Sequence, residues 1–399
     1  MTLTRRLTLA GAATLASVRT QAQSGPIRIG VLNDMQGIYS DNGGAGSVIA
    51  ARLAAEEFAT VLGRPVEVLS GDHQNKPDQA ISIAREWIDN QGVTLLADGA
   101  SSAAALAIQQ VAREKNRIFV ATGAGTSDLT GKDCSPVGFH FSYDTYALAN
   151  VTGGTITRQG GATWFFITAD YAFGTALQRD ATRFIEQAGG KVLGAVRHPI
   201  ATTDYSSYLL QAQSSGAKVV ALANAGADTQ NALKQAAEFG LGRAGQQLSA
   251  LLVFITDVLA VGLPVAQGLQ LTTSFYWDRT PETRAWSQRF MKRKDAPPTM
   301  IQASTYTGVR HYLRAVQDGG TLDAAAVAAQ MRKTPVTDMN NRDVAIRADG
   351  RVMVDMYLMR VKTPAESTRR FDVYKPIATV PGAEAFRPLN EGGCPLVRA

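Results

Sequence analysis

The chain is short of cysteine, of histidine and of charge, and each shortage removes a class of function. Two cysteines in 399 residues exclude a cysteine-rich metal centre and a small fold stapled by many disulfides. His73, His140, His198 and His311 lie far apart, with no Cys or carboxylate at ligand spacing, so no metal site is expected. Charged residues make up 19% of the chain and the formal net charge is +6. Arg5, Arg6 and Arg19 sit in a leader-like start without acidic residues, which leaves +6 − 3 = +3 for the rest. So small and dispersed a charge argues against nucleic acid as a partner. There is no G-x-x-x-x-G-K-[ST] phosphate loop and no G-x-S-x-G elbow, and no serine has a recognisable base partner. The adjacent acids Glu56 and Glu57 fall on a helix face that reads as solvated. No catalytic constellation remains, so neither enzyme activity nor a cofactor is expected.

What is present is globular: 45% of residues are hydrophobic, and the length exceeds one ordinary core, so two domains are expected. Residues 1–22 read as an export signal. Arg5-Arg6 precede an apolar run from Leu7 to Val18, and Thr20-Gln21-Ala22 offers small residues at a cut. Thr4-Arg5-Arg6-Leu7-Thr8-Leu9 loosely resembles a twin-arginine signal, although an ordinary secretory leader uses the same arginines. No later run is long and apolar enough for an anchor, and no Cys sits at the cut for a lipid. The expected location is therefore the periplasm. In that oxidising compartment Cys134 and Cys394 suit a disulfide tying the C-terminal tail to the middle of the chain, with two unpaired thiols as the alternative.

From Ile27 strands and helices alternate: "IRIGVL" (27–32), a helix near 46–62, "PVEVLS" (65–70), a helix from Pro77 to Gln91, "VTLLAD" (93–98), a helix from Ser102 to Lys115 and "IFVAT" (118–122). The same unit recurs after a helix near 146–159: "TWFFIT" (163–168), "KVLGAV" (191–196), "KVVALA" (218–223) and "ALLVFI" (250–255), with helices from Gly174, Tyr205 and Asp228. "GLQLTTSFYW" (268–277), three helices, and an antiparallel pair in 353–361 and 371–380 complete the pattern. The fold class is α/β, with two Rossmann-like lobes built on parallel central sheets. Three hinge crossings are expected near 142–146, 272–276 and 346–352. Residues 23–143 and 274–348 make lobe I, 144–273 and 349–380 make lobe II, and 381–399 form a tail.

Ligands of such sheets bind beyond the carboxyl ends of the strands. There the chain reads "RIFVATGAGTSDLTG" (117–131). As a dinucleotide fingerprint it fails, because the third glycine is replaced by Asp128, whose charge would repel pyrophosphate. Uncovered N–H groups at Gly123, Ala124 and Gly125, with the Thr126 and Ser127 hydroxyls beside them, suit one carboxylate instead. "DGASSAAA" (98–105) ends the neighbouring strand in the same way, with Ser101 and Ser102 at a helix start. Simple helix capping is the alternative for either motif alone.

Four stretches in order resemble the type I periplasmic solute-binding proteins, in the leucine/isoleucine/valine-binding branch that delivers ligand to ABC importers. They are "IRIGVLNDMQGIYSDNGGAGSVIAARLAAEE" (27–57), "DHQNKPDQA" (72–80), "TADYAFGTAL" (168–177) and "TTDYSSYLLQAQSSGAKVVALAN" (202–224). The resemblance covers about Ile27 to Val380. It implies two lobes that close on a small carboxylate, permease subunits of the inner membrane as partners, and a monomer. It places Ser102 and the Gly123–Gly125 turn at the ligand carboxylate, although Gly125 stands where the family usually has Thr. It places Phe173 over the ligand from lobe II, with ordinary core packing as the alternative. Where amino-acid binders have a bulky Tyr, this chain has Ala225 after Asn224. Their acidic partner for the ligand ammonium is matched only by Asp257, across extra residues near 242–248. These departures suit an aromatic acid, such as a hydroxybenzoate or phenylpropanoid, over leucine. Tyr39, Tyr276, Trp277 and Tyr306 are candidates to stack on its ring. A sensor of the same fold, answering to amides or amino acids, is the rival reading.

Overall fold

The computed structural model describes residues 25–241 and 245–397. The leader expected over 1–22 and part of the insertion near 242–248 lie outside them. The first unit comprises β1 (Ile27–Asn33), α1 (Gly44–Ala55), β2 (Val66–Asp72), α2 (Pro77–Asp89), β3 (Val93–Asp98), α3 (Ser102–Glu114), β4 (Ile118–Ala121) and β5 (Gly138–His140). Its strands form one parallel sheet in the order β2-β1-β3-β4-β5. β1, β3 and β4 are apolar almost throughout and buried, as strands covered on both faces must be. In α2 the buried Ala80, Ala84, Trp87 and Ile88 recur at helical spacing, and that stripe is what docks the helix on the sheet.

The second unit runs α4 (Thr145–Leu148), α5 (Gly154–Arg158), β6 (Thr163–Ala169), α6 (Ala172–Gln187), β7 (Lys191–His198), α7 (Ser206–Ser214), β8 (Val219–Ala223), α8 (Ala227–Glu238), β9 (Gln247–Ala250), α9 (Ile255–Val261) and α10 (Leu263–Ala266). Its parallel sheet has the order β7-β6-β8-β9. Two expectations change here. The helix expected near 146–159 is broken by a π-helical turn over Ala149–Gly153. The strand expected over 250–255 has already ended at Ala250. Leu251, Leu252 and Val253 are buried in the turn that leads into α9, because an apolar run marks burial without marking extension.

The third part comprises β10 (Gln270–Thr273), α11 (Pro281–Lys294), α12 (Met300–Gly319), α13 (Ala324–Lys333), β11 (Met356–Val361), β12 (Tyr374–Val380) and α14 (Gly382–Ala385). The expected antiparallel pair is present as β11 and β12, and β10 joins it to give a three-stranded antiparallel sheet. Helix α12 packs on α1, so after β10 the chain has returned to the first lobe. The lobes are thus joined by three crossings. Two of them are tied together by Arg351, which is fully buried. Its backbone pairs with His140, its guanidinium donates to Ser142 O, approaches Asp144 Oδ2 at 3.5 Å, and lies 4.3 Å over the Phe386 ring. Burial pulls this guanidinium down to about 10. Cys134 and Cys394 are disulfide-bonded, with their Cα atoms 5.6 Å apart.

Candidate ligand-binding cleft

The carboxyl ends of both parallel sheets face each other across a narrow cleft that side chains from both lobes nearly fill. Lobe I supplies Tyr39 and Asn42 from the loop after β1, Ala100 and Ser102 after β3, Gly123 and Gly125 after β4, and Ile301 from α12. Tyr143, after β5, stands beside the lobe I glycine turn, and the other wall is Tyr171, Phe173, Ala225, Leu252 and Phe254. No acidic or basic side chain is among these lining residues.

One part of the wall is a set of hydrogen-bond donors. Ser102 is the first residue of α3, where backbone N–H groups have no partner within the helix. Its Oγ accepts from the Thr126 N–H at 3.1 Å, so its own O–H proton is free to donate. Thr126 Oγ1 accepts from the Asp128 N–H at 3.3 Å, capping the short 3₁₀ turn Ser127–Thr130. The glycine turn is held from behind. Tyr143 donates to Gly123 O at 2.8 Å, and His140 Nε2 lies 2.8 Å from Ala124 O, which fixes the proton on that nitrogen because a carbonyl can only accept. A Cβ on Gly123 would stand 2.3 Å from Asp98 Oδ1, and one on Gly125 would stand 2.8 Å from both Phe173 and Tyr143. The aromatic rings occupy the room that a threonine at 125 would need.

Asp98, at the end of β3, is fully buried behind this turn. Burial raises its carboxyl to about 6, against the opposing hydrogen bonds from Asn33 and Ser47. The Asn33 amide donates to it at 2.7 Å, while Oδ1 has no partner among the described residues.

The lobes touch across the cavity. Tyr39 and Tyr171 share a hydrogen bond between their hydroxyls, and burial raises both phenols. The Ala227 N–H donates to Ile38 O at 3.1 Å. Asn42 Nδ2 donates to Thr256 Oγ1 at 3.0 Å and to Asp257 Oδ1 at 3.2 Å.

Of the residues singled out from sequence, Tyr39, Ser102, Gly123, Gly125, Phe173 and Ala225 line the cavity; Ser101, Ala124, Thr126, Asn224 and Asp257 do not. Ser101 is the N-cap residue of α3, buried, with its hydroxyl unpartnered. Asn224 turns away from the cleft, with Nδ2 3.2 Å from His198 Nε2 and Oδ1 accepting from Thr229. Asp257 stands behind the wall and caps its own helix. Its oxygens accept from the Phe254 N–H at 2.9 Å and Gln230 Nε2 at 2.9 Å as well as from Asn42, and burial raises its carboxyl in spite of these bonds. Tyr276 and Trp277 pack against each other away from the cavity, and Tyr306 donates to Glu57. Asn42, Tyr143, Tyr171 and Phe254 were not singled out. Tyr171 and Tyr143 lie within strand-end stretches, so position alone was their signal.

A cleft between two α/β lobes with uncovered donors at the strand ends defines a class of solute-binding proteins. The periplasmic binding protein family model matches residues 26–368, and the chain belongs to that family. It is similar to a periplasmic binding protein from Burkholderia mallei, with 47% identity, coverage of 94% of this chain and 99% of that one, and a TM-score of 0.92. A branched chain amino acid ABC transporter periplasmic ligand-binding protein from Burkholderia xenovorans LB400 shows 38% identity over 93% of this chain and 99% of that one, with a TM-score of 0.82. Among curated relatives, Leu/Ile/Val-binding protein homolog 6 of Brucella melitensis is 25% identical over 331 residues, covering 80% of this chain and 84% of its own. Among the described residues no helix is long and apolar enough to cross a membrane.

Proposed function

We propose that this solute-binding protein captures a small aromatic carboxylate between its lobes and presents it to an ABC permease. The observation that carries the choice of ligand is the absence of any charged side chain among the residues that line the cavity. An α-amino acid brings an ammonium group whose burial without a counter-charge is costly. Asp257 would have supplied that charge, but its oxygens already accept from three protein donors. A carboxylate needs no cation where fixed donors meet it. The Ser102 hydroxyl, the free N–H groups at the start of α3 and the Gly125 N–H supply them, whereas the Gly123 N–H already donates to Asp98 O at 3.3 Å. Tyr39, Tyr143, Tyr171, Phe173 and Phe254 provide apolar and aromatic walls for a ring. A solute-binding protein from Rhodopseudomonas palustris BisB5 in complex with 3,4-dihydroxy benzoic acid has the same fold, with a TM-score of 0.79 at 20% identity; the likeness is of fold.

A thermal-shift panel of the chain from residue 25 onward tests this, using benzoate, 4-hydroxybenzoate and cinnamate against leucine and valine. A ligand at a hundred times its dissociation constant stabilises by about 2.7 kcal/mol. The aromatic acids should raise the melting temperature and the amino acids should leave it unchanged. A rise with leucine and none with benzoates would return the site to branched-chain amino acids.

A further inference from the structure

Asn42 is the one cavity residue that also grips the opposite lobe through its side-chain amide. It is 1% exposed and sits on a base that cannot easily shift. Asp34 organises the loop by accepting from the Gly37 and Tyr39 N–H groups at 2.8 and 2.9 Å and from Asn75 Nδ2 at 2.7 Å. The Asn42 carbonyl accepts from Thr299 Oγ1 at 2.6 Å, and the next carbonyl, Gly43 O, accepts from Gln302 Nε2 at 3.1 Å. Thr299 and Gln302 are themselves locked in the capping box that opens α12.

The facing group is equally fixed, since Asp257 is held by the Phe254 N–H and by Gln230. This geometry also settles which way the Asn42 amide points. An ionised carboxylate only accepts, so the atom against Asp257 must be the NH₂ group. The carbonyl Oδ1 then faces elsewhere, buried and without a partner among the described residues. Gly226, at φ +61°, lies beside it, and a Cβ there would come within 3.0 Å of that oxygen and 2.3 Å of Ile38 O. The glycine lets the two lobes meet at this point, with the oxygen enclosed between them and unpaired.

We propose that Asn42 couples ligand recognition to closure: its Nδ2 clasps Thr256 and Asp257 of the other lobe, while its Oδ1 receives a hydrogen-bond donor, a hydroxyl or amide N–H, carried by the bound acid. A buried carbonyl left unpaired is costly and a donor from the ligand removes that cost, so the bound acid and the closed form stabilise each other. The ligand class narrows accordingly to acids with a donor on the ring or chain. The recognition half rests on the proposed reading of the cavity; the clasp does not.

Two arms separate the two. In the first, spin labels on the outer faces of the lobes report interlobe distances in wild type and Asn42→Ala without added ligand. Loss of a hydrogen bond to a charged group should cut the closed population relative to the open one by roughly tenfold or more. Superimposable distance distributions would overturn the clasp. In the second, calorimetry compares 4-hydroxybenzoate with benzoate on both proteins. Wild type should prefer the hydroxylated acid, and Asn42→Ala should bind it at least tenfold more weakly while losing most of the preference. An unchanged preference in the variant would overturn the recognition role. If neither acid binds wild type, the aromatic-acid reading and the recognition role both fall, and the distance measurement still decides the clasp.

Discussion

Ser102 has one proton to give and nothing in the described protein to give it to, because its single hydrogen bond is an accepted one from Thr126. Replacing it with alanine removes that donor while keeping a good helix former at the start of α3. Affinity for the bound acid should fall about tenfold, in line with about 1.5 kcal/mol for a bond to a charged group, with a modest fall in melting temperature in the absence of ligand because the buried Thr126 N–H loses its acceptor. Calorimetry that gave equal affinities would take Ser102 out of the site. Ser102, Gly123 and Gly125 could be found from sequence because a local rule, donors at strand ends, points at them. Tyr143 and Tyr171 also lie at strand ends but without the glycine and serine donors that mark the other two stretches, and Asn42 carries no signal of that kind. Their roles come from contacts between residues 132 and 215 positions apart in the chain, Tyr39 with Tyr171 and Asn42 with Asp257, and no periodicity encodes those. Asp257 shows the opposite failure. An acid in the right region of the chain became a helix cap, because capping the N–H of Phe254 is a local need that a buried carboxylate satisfies well.

At the scale of elements, the alternation of strands and helices was readable wherever the strand was covered on both faces, as in β3 and β4. It misled where burial and extension part company, in the turn after β9. β5 has only three residues, too few for a pattern to register. The long-range tie between Cys134 and Cys394 fastens the tail to the segment that follows the glycine turn. Arg387 in the same tail donates to Ser127 O at 3.0 Å, and Glu391 meets Arg183 of α6 at 2.6 Å. The tail therefore touches both lobes. Exposed pairs such as Arg183 with Glu391 contribute little; buried Phe386 and Ala385 and the disulfide hold the tail in place. Cys394→Ser should lower the unfolding free energy by about 2 to 4 kcal/mol, read by urea denaturation of oxidised protein. Equal midpoints for variant and wild type would show that the tie constrains neither state.

For the molecule as a whole, the doubled alternation revealed two lobes but gave no sign that β10 joins β11 and β12 in a third sheet, because those strands are separated by some eighty residues of helix and loop. Stability against pH also belongs to this scale, since buried groups of opposite kinds oppose each other. Burial raises Asp98 to about 6 and lowers His73 to about 4, with His140, His198 and His311 also pushed down. For Asp98 the folded value lies above the unfolded one, near 3.9. Its contribution is therefore fully present below about pH 4 and is lost as pH rises through about 6. For the histidines the folded value lies below the unfolded one, near 6.5. Their contribution is present above that value and lost as pH falls towards 4. The two trends act in the same window with opposite sign, so wild type should show a shallow profile there. Asp98→Asn removes only the first trend. The stability of wild type relative to this variant should rise by roughly 1 kcal/mol between pH 7 and pH 5, measured by urea unfolding at both values. A difference that stays constant across that interval would mean that Asp98 titrates as an ordinary carboxylate, and that its burial behind Gly123 is relieved by water.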